Sequence, residues 1–447
     1  MQNITKGGEH SGVGLPGWRK SDAKRLISRD ILCSGGVILL AGTLAAADLP
    51  PQQLPPPYTT PSVYRQPKMV PQPSGAALHV PPGFQIELFA EGFLIPRFMT
   101  LTPAGEVVLA DSAGKAGLQP SAPYLGSVSI LRPSGQKKVL LDGLDKPYGI
   151  AFWRDYIYVA EPESIKRYKF NAATLSAGPG QEIISLKGQG GFHWTRTLLF
   201  DPAGTRLYLS IGSGSNHTVG EDPRRATICR LNPDGSGFEI LASGLRNPVG
   251  LRWYPGTDHL WASVQERDDL GDDLVPDYLT HVQPHGFYGW PYAYIGPHED
   301  PFNSGLKLVE HMVRHPEAIP EANKISALVK STLSPDVLLG SHVGVLDFLF
   351  YTGRQFPSEY RGGAFLAFHG SANRSKRVGY SVAFVPFQNG EPSGPPREIV
   401  TGWMISPDAD EVWGRPVGLL QLPDGSLLIS DDGGKKIWKL SYKGGQN

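Results

Sequence analysis

Pro416–Ser430 reads PVGLLQLPDGSLLIS, two apolar strands joined by Pro-Asp-Gly. The theme recurs at Phe98–Ala110 (FMTLTPAGEVVLA) and Arg196–Ile211 (RTLLFDPAGTRLYLSI), with weaker copies from Tyr148, Val249 and Val345. Such a hairpin cannot bury its own apolar face, so copies in series must pack on one another. Six copies predict an all-β fold, a six-bladed β-propeller with four-stranded antiparallel blades around a central channel. Repeats start near residues 97, 148, 196, 248, 345 and 415. The first four starts lie about 50 residues apart, which suits one blade each. Phe84–Ala90 reads as a strand that completes the last sheet and so removes an exposed edge. Pro284–Leu339 reads as an insertion on the functional face, with a helix-like piece at Pro316–Thr332.

Composition narrows the possible functions. Among 447 residues, 42 are basic and 42 acidic. A nucleic-acid partner is not expected, because phosphate binding wants a clustered basic excess. The two cysteines, Cys33 and Cys229, make no disulfide framework and no Cys-x-x-Cys-His for covalent haem. Residues 1–47 read as a signal peptide or N-terminal anchor: basic residues Arg19–Arg29 precede the apolar run Ile31–Ala47, which closes on small residues. A periplasmic or secreted body follows, with membrane contact only through an uncleaved leader. Residues 48–82 are rich in Pro and read as a disordered or polyproline linker. Residues 83–443 are the propeller.

Five constellations could carry chemistry, three of them where repeats begin. Gly190–Arg196 (GGFHWTR) places His193 at a strand entrance, where a neutral imidazole could take a hydroxyl proton, or simply bond a backbone carbonyl. Arg246 and Asn247, in GLRNPVGL, could polarise a carbonyl that gains negative charge, or merely punctuate a blade-linking turn. Glu266–Asp273 (ERDDLGDD) is an oxygen-rich loop of the kind that suits Ca²⁺, or a solvated acidic turn. Arg374, Lys376 and Arg377 follow the strand AFLAF, and Arg415 opens the sixth repeat. With Arg246 these cations would ring the channel mouth and suit a small polyanion; singly, each is a surface cation.

FHWTRTLLFDPAG, GLRNPVGL, ERDDLGDD with FYGWP, AFHGSANR and WGRPVGLLQLPDGSLLISDD, in that order, resemble the soluble pyrroloquinoline quinone (PQQ)-dependent sugar dehydrogenases, nearest the L-sorbosone or aldose dehydrogenase branch. The resemblance spans Pro81–Tyr442 and implies a six-bladed propeller. It implies His193 as general base, with hydride passing to the quinone. Arg246 and Asn247 would bind the reactive edge of PQQ. Ca²⁺ would be held by backbone carbonyls of Glu266, Arg267 and Asp268, and a second calcium by the region Tyr288–Asp300. Arg374, Lys376 and Arg415 would neutralise the cofactor's carboxylates. Phe192 stands where the glucose-oxidising members carry an acidic residue, and KPYGIAF at Lys146–Phe152 lacks their glutamine motif. The implied reaction is oxidation of an aldose or sugar-derived aldehyde, with electrons leaving to an external cytochrome or quinone. A calcium-dependent lactonase and a non-catalytic binding propeller are the competing readings.

Overall fold

The computed structural model describes residues 54–132, 136–314, 317 and 319–444. Six four-stranded antiparallel sheets follow in chain order. Blade I spans Pro96–Leu144, blade II Ile150–Ser185 and blade III Leu198–Ser243; blade IV spans Asn247–Ser341 and blade V Val345–Val400. Blade VI joins Pro416–Gln421, Leu427–Asp431 and Lys436–Tyr442 to Phe84–Glu91. Each innermost strand touches the next, and the sixth returns to the first, so the ring is closed.

The quoted motif explains the blades. Its glycine turns the chain at positive φ, +94° at Gly105 and +86° at Gly425, a region costly for residues with a Cβ. The Gly105 and Gly425 amides bond back to Thr102 O and Leu422 O, each at 2.9 Å. The second strand of each hairpin lies mid-sheet and is sealed on both faces: every residue of Val107–Asp111 and Leu427–Asp431 is buried. Apolar clusters fill the spaces between neighbouring blades. Phe84 pairs with Tyr442 and Glu91 with Lys436, closing the ring as the strand pattern predicts.

Two segments extend the predicted scheme. The insertion leaves blade IV after Pro276–His281 and returns at Val337–Ser341. It holds the expected helix, at Ile319–Lys330, and an unforeseen one at Leu306–Arg314. It starts at the far end of the blade, then climbs beside blade III through the Ser243–Phe287 bridge toward the strand-entrance mouth.

The Pro-rich stretch, over its described part, is a strap rather than a free spacer. The Tyr58 amide bonds Leu270 O, and the Arg65 amide bonds Ala372 O. The Arg65 side chain reaches Asp410, Ser375 O and Asp408 O. Lys68–Met69 pairs in parallel with Glu411–Val412. The leader and Cys33 lie outside the described residues. Among the described residues no helix is long and apolar enough to cross a membrane, and Cys229 is a free, buried thiol.

Candidate active site

The inner strands of a closed ring all begin at one mouth of the channel. The loop before each inner strand and the loop after each second strand therefore meet there.

His193 lies on the loop before blade III. Two buried arginines shape that loop through its carbonyls: Arg196 Nη1 donates to His193 O (2.8 Å) and Thr195 O (2.7 Å), and Arg225 donates to His193 O (3.3 Å) and Gly190 O (2.9 Å). A Cβ on Gly212 would stand 2.7 Å from His193 Cβ and 2.3 Å from Asn247 Oδ1, so only glycine allows His193 and Asn247 to converge. His193 Nδ1 lies 2.9 Å from Ser213 Oγ. The Ser213 hydroxyl proton is already given to Ser215 O, at 2.6 Å. Ser213 Oγ can only accept, so the imidazole proton sits on Nδ1 and the lone pair on Nε2. Burial, then the neighbouring Arg246, hold the imidazolium pKa well below the usual histidine value. The ring is thus a neutral, oriented base.

Arg246 and Asn247 enter blade IV beside it. Arg246 donates to Asn216 O (3.2 Å), Asn216 Oδ1 (2.8 Å), Glu266 O and Asp268 Oδ2 (3.1 Å). Asn247 gives its amide protons to Gln265 Oε1 at 2.8 Å and leaves a buried Oδ1 without a partner.

The acidic loop Glu266–Asp273 is neutralised by the protein's own cations. Arg246 holds Glu266 O, and Arg267 Nε donates to Asp268 O at 3.0 Å. The Asp268 carboxylate takes Arg246 and His342 Nδ1 (3.2 Å), and its pKa falls to about 2, these partners outweighing its burial. Arg267 pairs with Asp300 in a nearly sealed ion pair, and Arg374 holds Asp272 O and Asp273 Oδ1. Burial pushes the Glu266 carboxyl up to about 8. Two of the three carbonyls expected to ligate calcium, Glu266 O and Asp268 O, thus already accept guanidinium protons. Among the described residues no three His, Cys, Asp or Glu side chains converge as a metal site. A Ca²⁺ held by the carbonyls of Glu266, Arg267 and Asp268 would have to share or displace these guanidinium bonds.

The cation ring differs from expectation in its members. Arg415 lies at the mouth, bonded through Nε to His369 O (3.0 Å) and through Nη2 to Gly370 O (3.1 Å). Arg374 is turned to the acidic loop. Lys376 is 72% exposed on the outer rim, 3.8 Å from Asp408, and Arg377 is buried beneath the strap, bonding Arg65 O and Gln66 O. Arg97 and Lys146 stand at the mouth instead, over the Trp194 ring at 4.9 and 5.7 Å. Arg97 pairs with Asp432 at 2.6 Å but leaves Nε without an acceptor. Asp432 also meets His369 Nε2 at 2.9 Å. Arg97, Lys146, Arg246 and Arg415 thus gather at the mouth, Arg97 paired with Asp432 and Arg246 with Asp268.

Ser213, Asn216, Arg97, Trp194, Lys146 and Asp432 escaped the sequence reading. A periodic signal was present for some of them. Each second strand ends on a polar residue at the mouth: Asp111, Glu161, Gln265 and Asp431 end their strands, while Ser213 and His369 follow theirs. A cavity of about 580 Å³ lies elsewhere, beside the strap and lined by Pro73–Ala77, Met404 and Trp413.

Comparison with known proteins gives a consistent picture. The TrAA12-like family model matches residues 78–443. An uncharacterized protein of Borreliella burgdorferi is 27% identical, over 82% of this chain and 92% of that one. A pyrroloquinoline quinone-dependent pyranose dehydrogenase of Coprinopsis cinerea is 24% identical over 82% of this chain; the match spans only 55% of the fungal protein. The holo PQQ domain of pyranose dehydrogenase from Coprinopsis cinerea superposes with TM-score 0.64 at 20% identity, covering 83% of this chain and 98% of that one. The PQQ-bound aldose sugar dehydrogenase of Streptomyces coelicolor gives 0.54 at 16% identity, covering 82% and 100%. A family match that runs from the strap through all six blades leaves one assignment: this chain belongs to the TrAA12-like family.

Proposed function

We propose that this chain is a PQQ-dependent oxidoreductase that oxidises an aldose or a sugar-derived aldehyde hydrate, of which L-sorbosone is one candidate. The observation that carries the reading is His193, whose Nδ1–H is held by Ser213 so that Nε2 keeps the lone pair of a base. The residues suit a small planar polyanion: Arg97 Nε lacks an acceptor, and Arg415, Lys146 and Arg246 share the mouth. Bound there, PQQ would supply the two-electron acceptor that the twenty side chains lack. His193 Nε2 would take the proton of the hydroxyl on the carbon being oxidised. Arg246 and Asn247, beside the base, would orient the oxygens of the reacting pair, and Arg415 with Arg97 would balance carboxylates. No step is derived through calcium. Electrons would leave to an external cytochrome or quinone, and the protein would work in the periplasm or outside the cell.

The test is reconstitution. Purified protein incubated with PQQ should reduce an artificial electron-accepting dye when aldoses or sorbosone are added, and His193→Ala should abolish this while PQQ absorption still titrates onto the protein. Quinone that fails to bind, or lactone hydrolysis without quinone, would overturn the reading.

A further inference from the structure

The strap lies against three consecutive loops on the mouth side of the ring. In blade IV the Asp272 amide bonds Thr60 Oγ1 at 2.7 Å, and a Cβ on Gly271 would stand 2.7 Å from Thr60 O. In blade V, Ala372 O accepts the Arg65 amide at 2.6 Å. Ahead of blade VI, the Lys68 amide bonds Asp410 O at 2.8 Å and the Val70 amide bonds Val412 O at 3.0 Å. The family match begins at residue 78, beyond all of these strap residues, so the strap is not part of the matched propeller.

Arg65 ties two of the loops together. Its Nη1 donates to Ser375 O (2.7 Å), its Nη2 to Asp408 O (2.5 Å) and its Nε to Asp410 Oδ1 (2.6 Å). Arg377 returns the contact from below. Its side chain is fully buried, and Arg65 O and Gln66 O each accept from it at 3.0 Å. Its other bonds run to Ser371 O (3.2 Å), Ala409 O (2.8 Å) and Asp410 Oδ1 (3.2 Å). A buried guanidinium that loses acceptors is costly, so Arg377 keeps its place only while the strap covers it. The same loop aims Arg415. His369 O and Gly370 O, just before Ser371, accept Arg415 Nε and Nη2. Tyr380 donates to Ser371 O at 2.6 Å and lies under the Arg415 guanidinium, 5.7 Å from ring centroid to charge. Two backbone carbonyls hold the Arg415 side chain, so its direction follows the loop.

We infer that Arg65 is a positioning residue for the site: through Ala372, Ser375 and Arg377 the docked strap holds the loop His369–Arg377, which aims Arg415 at the bound polyanion. The inference rests on the proposed binding of PQQ at Arg415, and its test keeps the two apart. In the full chain, Arg65→Ala should raise the dissociation constant for PQQ, read by absorption titration, about tenfold, the scale of one charge-assisted hydrogen bond. At saturating quinone kcat should be unchanged, because the strap bonds blades IV to VI while His193 enters blade III. Placed in Arg415→Ala, the same change should have no further effect on affinity, whereas a general loosening would add to the loss. Arg65→Lys keeps the charge but not the planar fork, so it should stay folded and still weaken binding. On quinone-free protein, hydrogen exchange at the Gly370 and Ser371 amides, bonded to Val343 O and Val378 O, should speed up in Arg65→Ala while Val107–Asp111 stays protected. Wild-type protein that binds no PQQ would end the proposed function, and the exchange measurement would still decide the strap's role. Unchanged affinity in the folded variants, additive losses with Arg415→Ala, or unaltered exchange in this loop would overturn the inference.

Discussion

Removing the Ser213 hydroxyl tests the tautomer argument directly. In Ser213→Ala the His193 Nδ1–H loses its acceptor, and the imidazole is free to place its proton on Nε2 or to turn. The bond is 2.9 Å and partly buried, a kind worth about 0.5–1.5 kcal/mol net. Spread over the competent and incompetent forms of the ring, that is about a 2- to 13-fold change in the fraction of enzyme with Nε2 ready to accept. The kcat of the reconstituted variant should therefore fall by up to about tenfold, with KM and quinone affinity unchanged. His193→Ala should cost far more, about 10²–10⁴, the usual contribution of a general base. Ser213→Thr restores an acceptor and should restore most of the rate. Initial-rate dye reduction gives kcat, and a thermal melt shows whether each variant is folded. An undiminished kcat in folded Ser213→Ala, or a loss as deep as that of His193→Ala, would refute the assigned proton position.

Three further outcomes follow from the charges at the mouth. Because burial and Arg246 lower the His193 pKa well below the ordinary value, kcat should be level through neutral pH and decline only on the acidic side of the usual histidine range; an acid limb centred near pH 6.5 in the pH–rate profile would contradict this. Glu266 has a folded pKa of about 8 against an ordinary 4.5, so stability is lost as pH rises through that window, where the unfolded chain ionises and the folded one does not. Glu266→Gln should raise Tm at pH 8 and change it little at pH 4.5, and equal melts at pH 8 would count against a neutral buried carboxyl. Calcium at millimolar levels should leave the Tm of the quinone-free protein within about 1 °C, since a ligand that binds only the folded state must raise it; a rise of several degrees would show that guanidinium bonds at Glu266 and Asp268 yield to the ion.

The blades were legible because each is announced locally. A Pro-x-Gly turn between two apolar strands fixes where a hairpin begins, and the expected starts fall within about two residues of the inner strands at Pro96, Ile150, Leu198, Asn247, Val345 and Pro416. His193, Arg246 and Asn247 converge for the same reason: strand entrances on a ring share one mouth. What the sequence concealed was direction. Residues 374–377 announce cations but not that Arg374 turns to Asp273, Lys376 to solvent and Arg377 to the strap. Arg97 looked like a strand residue, and its pairing with Asp432 links opposite ends of the chain. The Pro-rich stretch misled because composition describes the free chain. Its attachment is made by Tyr58, Arg65, Lys68 and Met69 to partners hundreds of residues away. The acidic loop looked like a cation cradle because the arginines that fill it come mainly from elsewhere.

The pairing of Phe84–Glu91 with Lys436–Tyr442 has a consequence for biogenesis. On a ribosome Phe84–Glu91 waits, unpartnered, until all five intervening blades have been made. Contacts so distant in the chain are the slowest to form. A premature stop codon that removes only the last blade strand would strand this early segment with an open edge. Nascent protein of that kind is a natural client for chaperones and a ready target for proteases.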